Sequence, residues 1–210
     1  MEWLDFIRWP ALGGMIFSHF ARAGWLGDGL LDEIALASGF TIPIMALLIA
    51  VGAERTRNAE KYLLRVFMVA VISQLPYTLS GIGSCVFNDV WGLAFGLLGI
   101  VVSKRFRFVG FLPVLSVWVL PWSFPSLIPV MVLVDWFLLK DRVRLGLVQF
   151  AFAFVGGFYG SWEFYFWGLS GVLVLLGPYM SFPRLRGGRF LYYSLYPLHL
   201  GLIGVVRGLT

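Results

Sequence analysis

A chain of 210 residues that is 60% apolar and only 13% charged, with mean hydropathy +0.86, is not an ordinary water-soluble domain. Such domains run nearer 45–50% apolar and about 25% charged. The net charge of +5 points, in a chain of this kind, to lysine and arginine on cytoplasmic loops rather than to nucleic acid. One cysteine, Cys85, excludes an intramolecular disulfide and any multi-cysteine metal site. The start, Met1-Glu-Trp-Leu-Asp, lacks the basic region and small-residue cleavage pattern of a signal peptide, so the first helix is expected to be retained.

The apolar segments predict an all-α, polytopic transmembrane helical bundle of about nine helices, within a range of eight to ten. In chain order they cover 4–25, 34–53, 62–81, 88–103, 108–121, 125–139, 144–160, 162–181 and 190–207. The hairpin over 108–139 is interrupted by Pro113, Pro121, Pro125 and Pro129, which invite kinks or a re-entrant path. No internal repeat or low-complexity linker appears, so residues 1–210 read as one domain.

Basic residues fall in short clusters: Arg8, then Arg55/Arg57/Lys61/Arg65, Lys104/Arg105/Arg107, Lys140/Arg142/Arg144 and Arg184/Arg186/Arg189. The intervening turns hold acids or no charge, as at Asp28/Asp32/Glu33, Asp89 and Glu163. If each cluster is cytoplasmic, every lysine and arginine except Arg22 and Arg207 lies inside, with the N-terminus cytoplasmic.

That line serves as a ruler. His19 is eleven residues past Arg8, His199 ten past Arg189 and Gln74 nine past Arg65. At a helical rise of ~1.5 Å per residue all three lie ~14–16 Å deep, near the middle of a hydrocarbon layer ~30 Å thick. The chain's two histidines therefore share one depth. Tyr77 follows one turn beyond Gln74, and Asn88 lies at the outer end of the fourth helix. Polar groups at such depth either pack against a neighbouring helix or mark a functional site. Two histidines without a third ligand do not make a zinc site, so no metal is expected. The basic clusters either set topology or form a phosphate-binding rim.

The run Gly52-Ala-Glu-Arg55-Thr-Arg57-Asn58-Ala-Glu-Lys61-Tyr62-Leu-Leu-Arg65, with Ile72-Ser73-Gln74-Leu-Pro76-Tyr77 after it, resembles the TraX family of pilin acetylases. Asn88-Asp-Val-Trp-Gly-Leu-Ala-Phe-Gly96 and the late Tyr196-Pro197-Leu198-His199-Leu200 are similar to the same family, as is Pro43 with Ala46. The resemblance extends over nearly the whole chain. It implies a multi-pass protein of the bacterial inner membrane that moves an acetyl group from acetyl-CoA to the N-terminal amine of a pilin subunit. Arg8 and His19 also match a helix-one arginine and histidine of a broader class of membrane acyltransferases.

Two positions depart from the family pattern. Ser18-His19 stands where members usually have Asp-His, and Ser38-Gly39 where they have Gly-Arg. The expected roles are therefore His19 and His199 as catalytic bases, and Gln74, Tyr77 and Asn88 as substrate contacts. Arg8, Arg55, Arg57, Lys61 and Arg65 are expected to bind the phosphates of acetyl-CoA. Pilin and membrane lipids are the implied partners. Two other readings remain at this stage: a membrane O-acyltransferase acting on a surface glycan or lipid, and a non-enzymatic pilin chaperone or small transporter.

Overall fold

A polypeptide in hydrocarbon must satisfy its own amide groups, and a helix does so within one segment. The computed structural model describes residues 2–24, 40–82, 87–106, 127–158, 163–179 and 189–209, and all regular structure among them is helical. Eight α-helices run α1 Glu2–Arg22, α2 Thr41–Arg55, α3 Ala59–Ser80, α4 Asp89–Phe106, α5 Leu127–Leu138, α6 Arg142–Phe158, α7 Glu163–Leu176 and α8 Arg189–Leu209. A 3-10 turn, Gly177–Tyr179, follows α7.

These eight match eight of the nine expected segments. The ninth, 108–121, lies outside the described residues, as do 34–39 of the second. The count of nine spans is thus not established. Among the described residues one helix, α3, is long and apolar enough to cross a membrane by length and composition. Four of the remaining helices show why they fall short. α5 has 12 residues and α7 has 14. α1 and α8 each reach 21 residues but carry Arg8, His19 and Arg22, or Arg189, His199 and Arg207.

By contacts the chain forms two compact units. The first comprises Met1–Met45 and Lys140–His199, the second Ala46–Leu139 and Leu200–Thr210.

In the first unit α1 buries a helical stripe, Trp3, Leu4, Ile7, Ala11 and Leu12, and exposes Phe17. Asp141 starts α6 by accepting the Arg144 amide on Oδ1 at 3.1 Å. α6 and α7 then approach closely at Gly146 and Gly171, where a Cβ on Gly171 would meet the Gly146 carbonyl oxygen at 2.9 Å. Beside this seam Ser170 Oγ donates to Gln149 Oε1 at 2.9 Å, both groups wholly buried. Replacing Ser170 with alanine is expected to cost about 1 kcal/mol, the usual scale for an interhelical bond in apolar surroundings. Chemical or thermal unfolding in micelles measures it.

In the second unit Asn58 caps α3, its Oδ1 taking the Lys61 amide at 2.7 Å, and Gly81 ends the helix in the left-handed region at φ 60. Arg207 Nη1 completes that end by donating to the Ser80 carbonyl at 2.8 Å. α3 buries small or short groups, Val66, Ala70, Ser73 and Ser80, and exposes Leu64, Phe67, Met68, Val71, Ile72, Leu75 and Leu79. A leucine left in water forfeits about 1.5–3 kcal/mol relative to burial, so this face is suited to apolar surroundings. α4 presents a seam of small residues, Gly92, Gly96, Gly99 and Ser103, the type that lets helix backbones close in. A Cβ on Gly96 would fall 2.5 Å from Val132 Cβ of α5.

Lys104, one of the clustered cations, takes a structural position. Its Nζ donates to the Ala53 carbonyl at 2.8 Å and lies 3.2 Å from Glu54 Oε2, an oxygen that also accepts Trp136 Nε1–H at 3.0 Å. The cation thereby satisfies a carbonyl at the C-terminal end of α2.

Candidate functional site

Helical periodicity places Leu195, Tyr196 and His199 of α8 on neighbouring turns, because residues three and four apart share a face. His199 Nδ1 lies 2.8 Å from the Leu195 carbonyl oxygen. Its other nitrogen, Nε2, lies 2.7 Å from Nδ1 of His19 on α1. Both histidines are buried, 4% and 6% exposed, and both belong to the first unit.

Their relative pose is informative. The ring planes differ by 13° and the centroids are 5.0 Å apart. An imidazole nitrogen sits little more than an ångström from its ring centre. With nitrogens 2.7 Å apart, a 5.0 Å centroid separation is near the largest that the contact permits. The rings are therefore end to end and nearly coplanar, joined by an in-line hydrogen bond, rather than face to face. Tyr196 stands edge-on to this pair, at 73° and 5.4 Å from His199 and 63° and 6.0 Å from His19. Phe20 borders His199 at 6.5 Å. Ser18 does not take part; its Oγ donates to the Met15 carbonyl at 2.8 Å.

The expected substrate contacts lie in the second unit. Gln74 Oε1 accepts three donors: Trp91 Nε1 at 2.9 Å, Asn88 Nδ2 at 3.2 Å and the Asn88 amide at 3.3 Å. Asn88 Nδ2 also donates to the Ala70 carbonyl at 3.2 Å, and Asn88 Oδ1 accepts the Val90 amide at 3.0 Å. Asn88 is thus the N-cap of α4 and a clamp onto α3 at once, fully buried. Gln74 Nε2 donates to Thr78 Oγ1 at 3.3 Å. Tyr77 is half-buried on α3, and its carbonyl accepts Ser80 Oγ–H at 2.7 Å.

The expected phosphate ligands are placed in two groups. Arg8 is partly buried on α1 in the first unit, its guanidinium 5.4 Å from the ring centre of Trp9. Arg55, Arg57, Lys61 and Arg65 are exposed around the α2–α3 turn of the second unit. That turn is built, not slack. The Thr56 amide donates to the Gly52 carbonyl at 3.0 Å, and the Asn58 amide lies 3.4 Å from Thr56 Oγ1. Gly52 makes room for Tyr62 there, since a Cβ would fall 2.6 Å from the Tyr62 hydroxyl and displace that ring.

Two participants were not singled out from sequence, Trp91 and Tyr196. Both lie within the runs that carry the family resemblance, three residues from Asn88 and His199 respectively. That i, i+3 spacing was the available signal. A cleft of about 340 Å³ between α3 and α4 is lined by Leu63, Leu64, Phe67, Ala94, Phe95, Leu98 and Glu60. Its walls are apolar apart from Glu60, and neither histidine lines it.

No curated protein and no solved structure matches the chain. A model of the TraX protein family does match, over residues 3–207. The chain therefore belongs to the TraX family, which is membrane-associated and tied to conjugation and its pilin.

Proposed function

We propose that this TraX protein is a multi-pass acetyltransferase of the bacterial inner membrane, which transfers the acetyl group of acetyl-CoA to the N-terminal amine of a pilin subunit. The observation that carries the reading is the buried, coplanar His19–His199 pair. A paired neutral imidazole is a suitable proton acceptor for an amine that attacks a thioester. The multi-pass placement is supported by large apolar side chains exposed on seven of the described helices, among them Phe17, Leu75, Phe106, Phe137, Leu147, Leu169 and Leu198.

The amine nitrogen bonds to the thioester carbonyl carbon, the histidine pair takes the proton released from that nitrogen, and the carbon–sulfur bond breaks. The departing thiolate recovers the proton, which resets the pair. Arg55, Arg57, Lys61 and Arg65 are the candidate ligands for the donor's phosphates, with Arg8 a further cation on α1. Gln74, Tyr77 and Asn88 form a polar framework for substrate in this reading. Asn88 Nδ2 and the Asn88 amide both donate to Gln74 Oε1, so a substrate oxygen would have to displace that oxygen to reach them.

The test is transfer of labelled acetyl from acetyl-CoA to a pilin, by purified protein in nanodiscs, read by mass spectrometry of the pilin N-terminus. A pilin with a pre-blocked N-terminus is the control. Absence of transfer to the free amine, with the donor intact, sinks the reading. Transfer to a polysaccharide or lipid hydroxyl would move it to O-acylation. A second expected result concerns the cations. Replacing Arg55 and Arg57 together with glutamine should raise the KM for acetyl-CoA about ten-fold or more with a smaller change in kcat, the scale of losing a charged hydrogen bond. Steady-state kinetics at two salt concentrations check it.

A further inference from the structure

The two histidines are not equivalent, and their bonds say how the work is divided. A backbone carbonyl only accepts, so the Leu195 oxygen at 2.8 Å requires the proton of His199 to sit on Nδ1. A neutral imidazole with Nδ1 protonated has a lone pair on Nε2. That lone pair faces His19 Nδ1 at 2.7 Å, so His19 must donate there and carry its own proton on Nδ1. The basic atom that remains is His19 Nε2, and no hydrogen bond among the described residues falls on it.

We infer that His199 is a positioning residue that holds His19 in the Nδ1–H tautomer and in plane, so that His19 Nε2 is the atom that accepts the substrate proton. This rests on the acetyltransferase reading for its chemistry but not for its geometry. The chain Leu195 carbonyl, His199, His19 runs in one direction. Both nitrogens of His199 are spent within it, which leaves that ring no basic atom of its own to offer. Coplanarity gives the bond its directional strength, and burial keeps water from competing for either nitrogen. When His19 takes a proton on Nε2, the positive charge is stabilised through Nδ1–H by the His199 lone pair, as an orienting partner does in other paired bases. The edge of Tyr196 against both rings restricts their rotation.

The test uses the full chain, labelled with ¹⁵N-histidine, in nanodiscs without substrate. With two histidines in the protein, four ring nitrogens are to be assigned, and His19→Gln identifies which belong to which ring. The expected spectrum shows Nδ1 protonated and Nε2 bare on both rings. A His19 signal with its proton on Nε2 overturns the inference, whether or not acetyl transfer is found. In His199→Leu the His19 tautomer should become mixed and kcat fall about 100-fold with little change in KM. His199→Gln, whose Oε1 can accept from His19 Nδ1–H, should restore the tautomer and most of the rate. Equal loss in the leucine and glutamine variants, with an unchanged His19 spectrum, also overturns it. A normal wild-type spectrum with no acetyl transfer would leave this assignment standing and sink the function instead.

Discussion

Replacing His19 with glutamine is expected to lower kcat/KM for acetyl transfer by about 100- to 10,000-fold, the range that positioned general bases contribute. Glutamine is chosen over alanine because of what it keeps. Its Nε2–H can still donate to His199 Nε2, where the native contact is 2.7 Å, so the buried partner is not left unmet. It fills much of the ring's volume and adds no charge in a position only 4% exposed. What it lacks is a basic atom. The fold should therefore survive, visible as an unchanged elution profile and unfolding midpoint, while chemistry stops. Donor binding should persist, because the exposed cations at Arg55, Arg57, Lys61 and Arg65 are untouched. Near-normal rates in this variant would remove the histidine pair from the mechanism. Normal pilus assembly without acetylation would favour a chaperone.

The site was legible in sequence to the extent that depth is legible. Counting helical rise from the arginines expected to be cytoplasmic placed His19 and His199 at one level, and the structure joins them at 2.7 Å. Depth does not give azimuth, however. Gln74 and Asn88 were expected to face a substrate, whereas the structure turns Asn88 inward as the cap of α4 and gathers three donors onto Gln74 Oε1. α3 is apolar almost all round, so hydrophobicity could not say which side meets lipid. Its buried side proves to be the small residues, Ala70 and Ser73. Lys104 likewise looked like a topology marker, because a helix C-cap supplied from a distant segment leaves no local pattern. The departure at Ser18 was visible, but not its consequence. Ser18 turns to its own backbone, and the partner of His19 comes from the far end of the chain.

Replacing Gly171 with leucine is expected to destabilise the α6–α7 pair by about 3 kcal/mol or more, the upper range for overpacking a tight interface. The first carbon alone would fall 2.8 Å from the Phe150 ring and 2.9 Å from the Gly146 carbonyl oxygen. The ring can swing, but the carbonyl belongs to a helix backbone and cannot. The helices must therefore separate. Separation would stretch the 2.9 Å Ser170–Gln149 bond, which joins two wholly buried polar groups. It would also loosen the neighbouring contact in which Gly146 receives Leu175. The control is Gly13→Ala on α1 of the same unit, where a Cβ meets nothing within 4 Å. There the gain in helix propensity should be neutral or stabilising by up to about 1 kcal/mol. Unfolding in micelles compares the two variants, and a Gly171→Leu protein as stable as the control would refute the close approach of α6 and α7. Because this seam and the histidine pair share one compact unit, acetyl transfer in the leucine variant should fall in step with its folded fraction.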